Sequence, residues 1–117
     1  MEENLPISFQ IILHGGNSRS YSMEALQFAK AGDIEQAKES LQKAKEELTL
    51  AHQIQTQLIQ REAGGNNTEI SLILIHAQDH LMNAITVKDL AEEFIHLYKE
   101  MKQIKESIKN SIGSDLK

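Results

Sequence analysis

Apolar residues recur along this chain at steps of three and four, the spacing that lines one face of an α-helix. Phe9, Ile12, Leu13, Gly16, Ser20, Met23 and Leu26 trace one stripe from about Pro6 to Ala31. Proline is tolerated in a first helical turn because its missing N–H would have no partner there. Ala31-Gly32-Asp33 ends that helix. Gly32 can supply a left-handed closing residue, and Asp33 can cap the next helix with Gln36 at the capping-box position. A second stripe follows, through Ile34, Ala37, Leu41, Ala44, Leu48, Ala51, Gln55, Leu58 and Ile59, with alternating charges on the opposite, solvated side. It predicts a helix from Ile34 to about Glu62. Gly64-Gly65-Asn66-Asn67 then breaks the pattern, and Thr68 is the expected cap of a third helix that runs through Leu97, Met101, Ile104 and Ile108 to about Asn110.

Three helices on short loops run up, down and up, so the expected fold is an all-α three-helix bundle occupying residues 1–110, with 111–117 as a loose tail. The third helix complicates this picture. Its segment SLILIHAQDHLMNAI, residues 71–85, is apolar on nearly every side, and a helix apolar all round must be buried all round. Symmetry mates lying against it would satisfy that demand, and a sticky surface for a different protein is the alternative.

Composition narrows the classes. A length of 117 residues fits one domain. The chain is 40% hydrophobic, with only three phenylalanines and two tyrosines as aromatics, so its core is aliphatic and suits helix packing. Seventeen acidic residues against 12 basic give a net charge of −5, which argues against nucleic acid as a partner. With no cysteine, disulfides and thiolate chemistry are excluded. No apolar run approaches the roughly 20 residues of a membrane helix, and the acidic N-terminus MEEN is unlike a signal peptide, so an unprocessed cytoplasmic chain without direct membrane insertion is expected.

Against this background His76, Asp79 and His80 stand out. His76 and His80 are four apart on one helical face, with Asp79 on its edge. A zinc-protease motif needs Glu directly after the first His, where this chain has Ala77, and the chain contains no Glu-x-x-His pair for a di-iron bundle. Asp79 could bind a hard cation only if other carboxylates joined it, as three copies about a threefold axis would. Imidazole attacks phosphorus readily near neutral pH and passes the group on, so a phosphocarrier needs little beyond one histidine and a neighbour to orient it. Buried structural histidines are the plain alternative.

The segments GGNSRSYSMEALQFAKAGDIEQA, LAHQIQTQLIQREAGG, SLILIHAQDHLMNAITVKDLAEE and FIHLYKEM together resemble the IIA component of the lactose/cellobiose branch of the bacterial sugar phosphotransferase system (PTS), over roughly residues 6–101. The resemblance implies a homotrimer of three-helix subunits, a nine-helix assembly. It implies that His76 receives a phosphoryl group from the phosphocarrier HPr and passes it to a cysteine of the IIB component. IIB then phosphorylates a β-linked disaccharide of cellobiose, chitobiose or lactose type as the membrane component IIC imports it. It further implies that Asp79 meets its two symmetry copies around a structural metal ion, usually magnesium, at the trimer centre. His80 is the expected support for His76. Ser18 departs from the alanine common before Arg-Ser in such chains, and Gly15-Gly16 points to a close backbone approach. Arg19 is a weaker candidate for contact with the phosphoryl group, and His14, His52 and His96 are expected to be structural or solvated, a position bordering the site being the alternative for His52. The alternative function is a non-catalytic helical adaptor or metal-binding regulatory protein.

Overall fold

A computed structural model describes residues 6–115 as three α-helices, α1 (Ile7–Lys30), α2 (Ile34–Ala63) and α3 (Leu72–Asp115), with no strand among the described residues. The boundaries follow from local chemistry. The Gln10 N–H donates to the Pro6 carbonyl at the start of α1. Gly32 takes φ +88°, where an L side chain is strained, and the Asp33 carboxylate accepts from the Gln36 N–H at 3.1 Å to cap α2. Gly65, at φ +94°, turns the chain out of α2. The cap of α3 is not Thr68 as expected but Ser71, whose hydroxyl accepts from the Leu74 N–H at 3.1 Å. Both residues have capping side chains; Ser71 stands directly before the helix, and the intervening Glu69 and Ile70 remain non-helical. At its other end α3 exceeds its expected limit near Asn110 and continues to Asp115, so most of the expected tail is helical.

The core lies in two layers. Ile11, Leu48, Ala51, Leu58, Ala77, Leu81 and Ala84 fill one, and Ala25, Ala29, Ala37, Leu41, Ala91 and Ile95 the other. Of the α2 stripe, Ala37, Leu41, Ala44, Leu48, Ala51 and Leu58 are buried as the sequence predicts, Ile34 and Gln55 are half-buried, and Ile59 is exposed. On α1 the buried face is a different one: Ile11, His14, Gly15, Ser18, Ser22, Ala25 and Ala29 face inward, while Phe9, Leu13 and Met23 of the expected stripe are exposed. Small residues win this face because α1 packs against both other helices, so its backbone must come close to theirs. A methyl group added at Gly15 would sit 3.7 Å from the backbone of His80 and Leu81, the expected close approach, whereas Gly16 meets nothing within 4 Å.

Buried polar groups on α1 find partners on α2. Ser18 Oγ donates to the Ala44 carbonyl at 2.8 Å, and His14 Nδ1 pairs with the Glu47 carboxylate, which also accepts from Asn17 at 3.4 Å. Such bonds add little net energy when made but are costly to break.

At the standard rise the 44 residues of α3 extend about 66 Å, nearly the full 75 Å length of the molecule. Because α1 has only 24 residues, the C-terminal part of α3 runs past the bundle. Gly32→Ala is expected to lower stability by about 1 kcal/mol, because the left-handed backbone disfavours a Cβ. Glu47→Ala is expected to cost about 1 kcal/mol by removing one partner of buried His14. Urea-denaturation midpoints test both.

Candidate functional site

Ser71 caps α3 shortly before the histidines, and the packing of the helix behind them sets which way they point. Ala77, Leu81 and Ala84 are fully buried against α1 and α2, which turns the opposite side of this helical segment outward. His76 and Asp79 are exposed, and His80 is half-buried. The two imidazoles meet edge to face, ring centroids 5.1 Å apart and planes at 85°. Among the described residues this ring contact is the one interaction of His76. An imidazole held on a helix whose far side is anchored, and otherwise open to water, is placed for attack by or on a large partner.

Gln78 is half-buried beside the histidine pair. It accepts from Gln55 Nε2 at 2.6 Å and so ties α3 to α2 within the protomer. Sequence reasoning missed this bond. Gln55 falls on the otherwise apolar stripe of α2, and a polar residue in such a stripe is the signal that a partner faces it.

Asp79 accepts from Asn83 Nδ2 at 3.4 Å. It interrupts an exposed apolar stripe formed by Leu72, Ile75, Met82 and Leu90. Among the described residues of one protomer, no three His, Cys, Asp or Glu side chains gather closely enough to hold a metal ion. One carboxylate with one amide neighbour is too small a donor set for a hard cation, which takes at least six oxygens. The residues fit a cation only where further copies of Asp79 join the first.

The remaining candidates stand apart from His76. Gly15 is level with His80 and Leu81 in the parallel α1–α3 pair, so exposed Arg19 lies level with about residue 85, roughly 13 Å farther along the axis than His76. His52 lines a groove with Lys45, Leu48, Thr49, Ile85 and Lys88. His96 sits in the other core layer's groove with Leu41, Lys45 and Glu92. His14 is buried in its pair with Glu47. His76, His80 and Asp79 share one segment of α3, whereas His14 and Arg19 lie on α1, His52 on α2 and His96 farther along α3. No described helix is long and apolar enough to cross a membrane.

The family model for the lactose/cellobiose-specific IIA subunit of the PTS matches residues 6–99. The chain is 61% identical over 100 residues to the lichenan-specific phosphotransferase enzyme IIA component of Bacillus subtilis, covering 86% of this chain and 91% of that protein. It is 38% identical over 101 residues to the N,N'-diacetylchitobiose-specific EIIA component of Escherichia coli, covering 86% and 87%. The crystal structure of the PTS cellobiose-specific enzyme IIA from Bacillus anthracis superposes with TM-score 0.81 at 63% identity, covering 83% of this chain and 89% of that one. The solution structure of the IIA(chitobiose)–HPr complex of E. coli gives TM-score 0.72 at 36% identity, covering 82% and 93%. A family match over residues 6–99 and relatives covered over most of their length make the chain a member of the lactose/cellobiose-specific PTS IIA family, a phosphotransferase component that carries a phosphoryl group.

Proposed function

We propose that His76 is the phosphoryl acceptor and that the chain relays the group from phospho-HPr to a IIB component. The observation that carries this reading is the exposure of His76 on a segment whose inner side is fully buried. An imidazole nitrogen of His76 attacks phosphorus and forms an N–P bond as the bond to the HPr carrier atom breaks. The IIB cysteine thiolate then attacks the same phosphorus, and the bond to His76 breaks. Phosphoryl transfer of this kind depends on positioning and charge stabilisation more than on covalent machinery. His80, edge-on to His76, limits the orientations the imidazole can take. HPr as donor is supported by the structure of the E. coli relative in complex with it. The relay operates on the cytoplasmic side, and the sugar is a β-linked disaccharide of cellobiose type, in line with the cellobiose- and lichenan-specific relatives.

The assembly in this reading is a homotrimer with α3 of each subunit about the axis. It covers the apolar stripe that the protomer leaves exposed and brings three Asp79 carboxylates together. Mg2+ would be held there by Asp79 of each subunit, and its chemistry is that of a counter-charge for carboxylates that otherwise repel. The chain supplies the apolar surroundings, through Ile75 and Met82 on either side of Asp79. A non-catalytic adaptor role is not favoured by the family relationship.

His76→Ala is expected to stay within about 0.5 kcal/mol of the parent in stability, since an exposed side chain is removed. It is expected to take no label when incubated with phosphoenolpyruvate, enzyme I and HPr. The parent takes an acid-labile, base-stable label, and a folded variant that labels normally refutes the assignment. Asp79→Leu is expected to remain trimeric in chelator at protein concentrations where the parent weakens, because apolar volume replaces repelling charge. Sedimentation with and without EDTA reads this.

A further inference from the structure

Of the three helix pairs, α2 and α3 are the most loosely joined, and a cleft of about 320 Å³ opens between them. Its floor is the buried pair Leu41 and Ile95. On α2 its wall is formed by Lys38, Gln42 and Lys45, and on α3 by Glu92, His96 and Lys99. Each trio sits at i, i+4 and i+7, so each wall is one continuous helical face.

Charge sets this cleft apart from the rest of the surface. The chain carries a net charge of −5, so as a whole it repels anions. Within the cleft, Lys45 Nζ and the only carboxylate of the lining, Glu92, pair at 3.4 Å and offset each other. Lys38 and Lys99 stand on opposite walls, and among the described residues neither is in an ion pair. Two ammonium groups are thus left for a ligand to neutralise, with the Gln42 amide and the His96 ring as further donors. A phosphomonoester carries about −1.5 to −2 charges at neutral pH and three acceptor oxygens, which complements that set.

We propose that the α2–α3 cleft binds a sugar phosphate, with the phosphoryl group between Lys38 and Lys99 and the sugar ring on Leu41 and Ile95. The size of the cleft separates the ester from the free ion. Inorganic phosphate would leave most of the space empty and has no use for an aliphatic floor. A sugar ring lays its C–H face on such a floor and turns hydroxyls toward Gln42, the pairing of apolar lining and few polar groups that holds small ligands elsewhere. Lysine suits the phosphoryl end, where a flexible point charge suffices. His96 lies about 30 Å along α3 from His76 at the standard rise, so the cleft is separate from the proposed relay and is tested without it.

Amide chemical-shift titration of the isotope-labelled full chain at low ionic strength tests the site, with glucose 6-phosphate, inorganic phosphate and glucose as probes. Glucose 6-phosphate is expected to give saturating shifts centred on residues 38–45 and 92–99, with a dissociation constant of about 1 mM or below. Inorganic phosphate is expected to bind roughly tenfold more weakly, and glucose to give no saturation. Lys38→Gln and Lys99→Gln are each expected to weaken the ester on the order of tenfold, and Lys109→Gln, on α3 outside the cleft, to leave it unchanged. All three lysines are exposed, so these variants keep the parent fold, which their helical circular dichroism checks. No saturation by glucose 6-phosphate up to about 10 mM overturns the site. So does binding that Lys38→Gln and Lys99→Gln leave intact, and equal affinity for inorganic phosphate overturns the sugar phosphate as the ligand.

Discussion

Helix α3 carries apolar residues on two sides, and a single protomer has neighbours for only one of them. Ala77, Leu81, Ala84, Ala91 and Ile95 face α1 and α2, and small side chains dominate this inner face because the helices are pressed close. Leu72, Ile75, Met82, Leu90 and Leu97 are at least half exposed or nearly so on the other. A stripe of that length greatly exceeds the scattered apolar residues that any soluble surface tolerates. Most other features follow from it: the need for a partner surface, the position of Asp79 within the stripe, and the exposure of His76 on the strip of helix between the two apolar sides.

The sequence displayed the helices well, since stops and starts are written in residues with strong local preferences. Gly32 and Asp33 delimited α1 and α2 without any knowledge of packing. The face of α1 was harder to read. Its bulky apolar residues gave the stronger periodic signal, but burial favoured Gly15, Ser18 and Ser22, because a helix packed against two others is selected for thinness and not for hydrophobicity alone. Thr68 and Ser71 illustrate a similar limit. Both are competent caps, and only the path of the loop after Gly65 decides which one meets a helix N-terminus.

At the site, the sequence showed which residues carry chemistry but not what steadies them. His76, Asp79 and His80 were legible from their spacing, and the structure places all three on one outward segment. Gln55–Gln78 and His14–Glu47 were not legible, because each joins residues on different helices whose register emerges only when the bundle forms. Together these bonds tie α2 to both of its neighbours near the histidine level. In the proposed relay, where His76 is presented to two partners in turn, such bonds keep the backbone beneath it unchanged between visits.

The length of α3 also sets a distance. Lys109 lies about 50 Å along the helix from His76 at the standard rise, which exceeds the width of a small protein docked over the histidine. The two ends of one rigid rod thus belong to separate territories. A dye, a surface tether or a fused domain carried on the far end would leave both phosphoryl donor and acceptor free to visit the near one, so this chain offers a built-in handle for observing its own traffic.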